Sequence, residues 1–278
     1  MGTLYLVATP IGNLEDITLR AINVLRQARL IAAEDTRQTM KLLQRFEVHT
    51  PAISYHEHNK LSQGRINEIL NALAEGDVAL VSDAGMPGLN DPGYELVGAA
   101  LEAGYPVSPI PGASAPVSAL VVSGLPTDAF LYLGYLPRKS SERRRRLEEV
   151  QAYPYTLIFL ETPHRLQEAL EDLQTVLGDR RVAVARELTK MYEEIFRGTL
   201  SQAQAHFEQH EPRGEFTLVV AGKGEEAAGP WSEDQLADAL REGIASGMPQ
   251  SQLAGEVAAR SGWQRRDVYR KIMEIKNG

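Results

Sequence analysis

Four short apolar runs, each stopped by a loop rich in glycine, proline or charge, constrain this chain most. Residues 3–8 run into Thr9-Pro10-Ile11-Gly12-Asn13-Leu14, and residues 30–33 into Glu34-Asp35-Thr36-Arg37. Residues 78–81 run into the segment 82–93, Ser-Asp-Ala-Gly-Met-Pro-Gly-Leu-Asn-Asp-Pro-Gly, and residues 107–110 into Pro111-Gly112-Ala113-Ser114-Ala115. Short apolar runs bounded in this way read as buried strands. A further strand is expected at 52–54, and helical spacing at 18–28, 36–46, 60–74, 93–103 and 115–124. Strands alternating with helices predict a mainly parallel sheet. Loops that follow parallel strands leave from one edge, which is where open α/β sheets bind ligands. In the third loop Gly85, Gly88 and Gly93 remove side chains, and Pro87 and Pro92 stiffen the path. A tight surface turn would also use these residues. Neither the first loop nor the Asp83 loop spells G-x-G-x-x-G, which argues against a standard nicotinamide or flavin enzyme.

The segment 124–128 reads as a break. Beyond it a second α/β unit is expected, with strands beginning at 130 and at 155–160, 182–185, 192–198 and 215–221. Helices are expected between them at 143–151, 164–177 and 200–209. Residues 193–198 facing 214–219 suggest an antiparallel pair joined by a helix, so the second sheet should be mixed. The composition of 222–230 is that of a linker. Three helices follow at 231–245, 250–260 and 264–276. The stretch 251–269 reads as helix, glycine-containing turn, helix, with basic residues on the second helix. Such pairs also serve purely structural ends. The expected domains are therefore 1–124, 125–222, a linker at 223–230, and a helical tail at 231–278.

The net charge of −8 over 278 residues argues mildly against a nucleic-acid partner, because phosphate contacts need Lys and Arg. Distribution qualifies this. Arg138, Lys139 and Arg143-Arg144-Arg145-Arg146 form one dense basic segment; Arg260, Arg265, Arg266, Arg270, Lys271 and Lys276 form another. Each is either a solvated helix face or a phosphate-binding face. The chain has no cysteine, which excludes disulfides, thiolate metal sites and cysteine nucleophiles. No apolar run is long enough to suggest a membrane span, and the N-terminal layout is not that of a signal peptide. A cytoplasmic protein is expected.

Five motifs occur in order: 9–14 (Thr-Pro-Ile-Gly-Asn-Leu), 33–37 (Ala-Glu-Asp-Thr-Arg), 82–87 with 90–93, 161–165 (Glu-Thr-Pro-His-Arg) and 185–190 (Ala-Arg-Glu-Leu-Thr-Lys). Together, over about residues 4–222, they resemble the ribosomal RNA small subunit methyltransferase I family of the tetrapyrrole methylase superfamily. The resemblance implies two α/β domains with an interdomain cleft, plus a small helical tail of helix-turn-helix type. It implies methyl transfer from S-adenosyl-L-methionine to the ribose 2′-hydroxyl of a cytidine in 16S rRNA of the small ribosomal subunit, by a homodimer. No metal is implied. Carried over, Pro10, Asp83, Gly85, Met86, Pro87, Ser114 and Ala115 would line one side of the cofactor site. Phe159, Leu160, Phe216, Thr217 and Leu218 would close the other. Many family members have Thr at the position of Met86. Ser114 reads equally well as a helix N-cap.

Near the reacting hydroxyl the candidates are Asp35, Arg37 and His56. The acids and base of 34–37 are also what an N-cap with an ion pair would use. His56 and His58 lie at a metal-compatible spacing but lack a third ligand in pattern. Arg143, Arg144, Arg145, Arg146, Arg165, Arg186, Lys190, Arg265 and Arg266 are the expected RNA contacts. Two alternatives remain open at this level: a precorrin-type tetrapyrrole methylase on the same scaffold, and a non-catalytic RNA-binding protein of ribosome assembly.

Overall fold

The structure is a computed structural model that describes residues 2–57, 62–209, 212–224, 231, 233–245, 248–261 and 263–277. His58, Asn59, the turn at Gly262 and most of the expected linker lie outside the described residues. The chain divides into two compact units, Met1–Gly222 and Lys223–Gly278.

The larger unit holds two sheets. The first is built from β1 (Leu4–Val7), β2 (Leu30–Ala33), β3 (Ala52–Ser54), β4 (Val78–Val81) and β5 (Val107–Ile110). Their order is β3-β2-β4-β1-β5, with every pair parallel. All four residues of β4 are buried, which is why that strand is a continuous apolar run rather than an alternating one. Helices cover both faces. Ile22 and Leu25 of α1 (Leu19–Gln27) and Leu42 and Leu43 of α2 (Thr36–Arg45) pack on Val7, Ile31 and Val81. Ile69 and Leu73 of α3 (Ser62–Glu75) and Leu96 and Ala100 of α4 (Tyr94–Glu102) pack on Leu4, Ala32 and Leu80. The last helix of this half, α5 (Ala115–Ser123), turns instead onto the other sheet. Its Ala119 and Leu120 are buried against Ile158, Ala183 and Val219. The expected division at 124/125 therefore lies inside one compact unit.

The second sheet comprises β6 (Phe130–Tyr135), β7 (Thr156–Glu161), β8 (Arg181–Arg186), β9 (Glu194–Thr199) and β10 (Phe216–Val220). Its order is β6-β7-β10-β8-β9, and only β6–β7 is parallel. The expected pairing of 193–198 with 214–219 does not form. β9 pairs with β8, and β10 lies between β7 and β8. Burial explains this. All five residues of β10 are buried, so it takes a central position, whereas the partly exposed β9 takes an edge. Helices α6 (Ser140–Glu148), α7 (Leu166–Leu177) and α8 (Leu200–Gln209) cover the face opposite α5.

The smaller unit is three helices, α9 (Glu233–Ala245), α10 (Gln250–Ser261) and α11 (Arg265–Asn277), around Leu236, Leu240, Leu253, Val257, Val268 and Ile272. The Trp263 indole N–H donates to the Trp231 carbonyl at 2.7 Å. Arg265 and Arg266 are exposed, and Arg265 donates to the Ser251 carbonyl at 3.1 Å. Among the described residues no helix is long and apolar enough to cross a membrane.

Candidate active site

Because β1, β2, β4 and β5 are parallel, their following loops meet at one edge of the first sheet. They are tied together there by backbone and carboxylate hydrogen bonds. Thr9 and Gly85 form an isolated antiparallel bridge, N–H to carbonyl in both directions at 2.9 and 3.0 Å. Gly85 has φ +84°, a left-handed conformation that favours glycine. The Asp35 N–H donates to Asp83 Oδ1 at 3.0 Å, and the Asp83 N–H donates to Glu34 Oε2 at 3.1 Å. The loops after β2 and β4 thus cross-brace each other.

A cavity of about 220 Å³ opens beside these loops, with the second sheet as its other wall. Asp83, Gly85, Met86, Ser114, Ala115, Leu160, Phe216 and Thr217 line it. Other expected residues point elsewhere. Phe159 and Leu218 are fully buried in the core under α7, on the opposite face of the sheet. The strand period of two assigns Leu160 and Thr217 to the cavity and their neighbours to the core. Pro87 is buried away from the cavity, and Pro10 lines a separate small depression with Lys41 and Asp83. Ser114 is the N-cap of α5, yet its side chain makes no capping hydrogen bond. Ser114, Ala115 and Pro116 all line the cavity, so the positive, N-terminal end of α5 faces it.

Four carboxylates border the cavity: Glu34, Asp83, Asp91 and Glu215. Asp91 is half-buried, and its pKa is pushed up to about 6, first by burial and then by the charges of Glu34, Asp83 and Glu215. Asp83 is also raised, mainly by desolvation, with Asp35 adding to it. Apolar surface comes from Ile11, Leu89, Leu160 and Leu188. Sequence reasoning passed over Asp91, although it stands in a quoted motif. It also passed over Tyr132 and Tyr135, which both line the cavity. Residues three apart on a regular strand face opposite ways, but a bulge between Tyr132 and Gly134 resets the register of β6. Gly134 has φ +62°, and a Cβ there would lie 2.5 Å from Asn90 Nδ2. A side chain at 134 would have to displace the Asn90 side chain and adopt a φ that favours glycine.

The roof is the turn after β8. Leu188 lines the cavity, and Glu187 and Thr189 adopt positive φ of 50° and 66°. The Asn13 N–H donates to Thr189 Oγ1 at 3.1 Å, which joins this turn to the β1 loop. Lys190 bridges Glu187 and Glu215 at 2.8 and 2.9 Å.

Asp35 is the N-cap of α2. It accepts the Arg37 N–H at 2.8 Å and holds the Arg37 guanidinium through both carboxylate oxygens. Those Arg37 hydrogen bonds lower the Asp35 pKa to about 2, which makes it a poor proton acceptor. His56 is exposed and lies near Asp83, whose charge it stabilises. Neighbouring Glu57 takes the N–H groups of Gly93 and Glu95 and caps α4. Among the described residues no group of three or more His, Asp or Glu could hold a metal ion.

Most of the expected RNA contacts in the larger unit are engaged internally. Arg143, only 1% exposed, pairs with Asp172 at 2.6 Å and cannot meet a phosphate. Arg144 joins the same Asp172 at 2.5 Å, and Arg146 pairs with Glu149 at 2.6 Å. Arg145 is exposed. Arg165 donates to the Leu136 and Pro137 carbonyls, and Arg186 to the Arg213 carbonyl and Glu194.

Residues 3–204 match the family model "Tetrapyrrole (Corrin/Porphyrin) Methylases". Two relatives are each named "Ribosomal RNA small subunit methyltransferase I". One, from Synechocystis sp., is 50% identical over 99% of this chain and 99% of its own. The other, from Halalkalibacterium halodurans, is 50% identical over 96% of this chain and 93% of its own. Among solved structures, the methyltransferase CobJ matches with a TM-score of 0.60 and 19% identity, over 83% of this chain and 98% of its own. A Thermus thermophilus uroporphyrin-III C-methyltransferase complexed with S-adenosyl homocysteine matches with a TM-score of 0.53 and 20% identity, over 80% of this chain and 98% of its own. At these identities the structures show a shared fold.

Proposed function

The chain belongs to the ribosomal RNA small subunit methyltransferase I family of tetrapyrrole methylases, and from that premise we propose that it methylates the ribose 2′-hydroxyl of a cytidine in 16S rRNA. The methyl donor is S-adenosyl-L-methionine, which supplies, when bound, a methyl group on a positively charged sulfur leaving group. The observation that carries this reading is the cavity itself. Its four carboxylates set up a field that favours a cationic ligand, its apolar walls suit a flat heterocycle, and the N-terminal end of α5 suits a carboxylate. That set of surfaces fits this donor.

The remaining work for the protein is alignment and one proton transfer. With the donor bound, Leu160, Thr217 and Leu188 would enclose it and exclude water, and Glu34, Asp83 and Glu215 would face its cationic centre. Asp91 is the proton acceptor in this reading: its carboxylate is raised to about 6, so it is a stronger base than a free one while still ionised at neutral pH. Asp91 Oδ would take the hydroxyl proton as the 2′-oxygen accepts the methyl group and the bond from that methyl to the donor sulfur breaks. Tyr132 and Tyr135 offer rings at the same wall, suited to stacking a splayed base. A homodimer is part of this reading, and Leu101, Val117 and Val121 on α4 and α5 are exposed apolar residues of the kind such an interface would cover. An enzyme with this substrate works in the cytoplasm, where subunits assemble.

The test is transfer of labelled methyl from S-adenosyl-L-methionine to 30S subunits and to naked 16S rRNA, followed by nuclease mapping. Label on a cytidine ribose supports the reading. No label on either RNA, from protein that binds the donor, overturns it.

A further inference from the structure

Helix α2 carries Arg37, Lys41 and Arg45 at i, i+4 and i+8, and between Thr36 and Arg45 it contains no acidic residue. That spacing puts the three cations on one face, and all three are exposed. The chain as a whole is acidic, so this face departs from its surroundings. The partners distinguish the three. Arg37 is neutralised by Asp35. Among the described residues Lys41 hydrogen-bonds only to the Gln38 amide oxygen, at 2.8 Å, and the Arg45 guanidinium lies over the Phe46 ring at 5.6 Å. Among the described residues neither Lys41 nor Arg45 is in an ion pair.

The stripe also leads to the active site. Lys41 borders a depression whose far wall includes Asp83, a residue of the main cavity. Arg45 borders a second depression together with Gly12, Asn13, Thr189 and Met191, where the β1 loop meets the roof of the cavity. Glu15 is the one carboxylate lining it. The same roof carries Met191 and Tyr192, which are 88% and 72% exposed. Flexible cations next to exposed, flat or polarisable side chains are the combination that holds single-stranded nucleic acid: phosphates on the cations, bases on the rings.

We infer that the exposed face of α2, through Lys41 and Arg45, is the track for the RNA backbone flanking the target nucleotide, with Met191 and Tyr192 beside it contacting unpaired bases. The inference rests on the RNA substrate proposed above, and it places the entering strand on α2 rather than on α6, whose arginines are largely engaged.

The test compares wild type, Lys41→Glu/Arg45→Glu, the milder Lys41→Ala/Arg45→Ala, and Arg29→Glu as a charge control at the opposite edge of the sheet. Methyl transfer to 30S subunits is measured from 50 to 200 mM salt, alongside S-adenosyl-L-methionine affinity. With the alanine pair, the slope of log kcat/KM against log salt should flatten by about 1.4, the worth of two single-strand phosphate contacts. The glutamate pair should raise the RNA KM at least about tenfold, while cofactor affinity stays at the wild-type value. Arg29→Glu should do neither. Unchanged KM and salt slope in both α2 pairs, with wild type active, overturns the track and leaves the proposed function standing. A wild type that methylates no RNA overturns both. If the glutamate pair loses cofactor binding, the alanine pair alone decides.

Discussion

Thr9 and Gly85 exchange both of their backbone hydrogen bonds, at 2.9 and 3.0 Å, and so pin the loop after β1 to the loop after β4. The backbone of Gly85 is therefore occupied in structure. A Cβ added at Gly85 would meet Ile11 Cγ2 at 3.5 Å and the Ala113 carbonyl at 3.7 Å, which are ordinary contacts. The penalty is the φ of +84°. Gly85→Ala should cost about 1–2 kcal/mol by denaturant titration. Gly85→Leu adds bulk beside Ile11, which lines the cavity, and should abolish cofactor binding by calorimetry. Normal binding by Gly85→Leu would show that the donor sits elsewhere.

Asp91 should control both rate and stability. Its folded pKa of about 6 lies above the ordinary 3.8, so the fold disfavours its ionised form. The cost is absent below about pH 4 and complete above about pH 7. Asp91→Asn should therefore stabilise the protein near pH 8, by about 1–2 kcal/mol after allowing for solvent screening, and have little effect at pH 4. In the same variant, methyl transfer should fall about 10²–10⁴-fold. Wild-type kcat/KM should rise with pH through about 6 and then level. An Asp91→Asn enzyme that keeps the full rate would remove Asp91 as proton acceptor.

Arg143 and Asp172 form a buried pair with exposures of 1% and 3%. Burial opposes ionisation of Asp172, but hydrogen bonds from Arg144, Arg143 and Ser140 outweigh it and leave its pKa lowered. Asp172 keeps its Arg144 and Ser140 hydrogen bonds when Arg143 is truncated, so Arg143→Ala should cost less than the about 3–5 kcal/mol of a stranded buried charge, whereas Asp172→Ala, which strands Arg143, should cost that amount in thermal or chemical melts. RNA affinity per folded molecule should not change. A specific loss of RNA binding without a loss of stability would return Arg143 to the substrate interface.

Gly134 and Asn90 couple the two walls of the cavity. With φ +62° and a Cβ position 2.5 Å from Asn90 Nδ2, Gly134→Ala strains its own backbone and displaces the Asn90 side chain, which lines the cavity. Cofactor affinity should fall about tenfold or more. Asn90→Gly should restore part of it, because the clash is relieved while the strain in φ persists. A double-mutant cycle measures the coupling, expected at about 0.5–3 kcal/mol. Independent effects would mean that the walls do not communicate here.

Much of the first sheet was legible along the chain because its information is local. An apolar run such as 78–81 must be buried, and a glycine-rich stop such as 85–93 must turn, so strand, loop and helix follow in order. The edge where loops converge follows too, since parallel strands leave it no choice. Pairing in the second sheet was not legible in the same way. β9 and β10 are close in sequence, yet a central position for Phe216–Val220 follows from burial on both faces. The separation of Leu160 from Phe159 was available from the strand period alone, whereas the bulge that turns Tyr132 and Tyr135 to one cavity was not. The basic segment 143–146 was visible, but nothing local said that Asp172 would bury Arg143. The sequence by itself determined the α/β class, the loops at one sheet edge and the family, because each depends on runs and motifs of neighbouring residues. Only the tertiary structure decided which charges remain free and that Asp91 is held near pH 6 among Glu34, Asp83 and Glu215, because charge pairing and desolvation arise between residues brought together from distant parts of the chain.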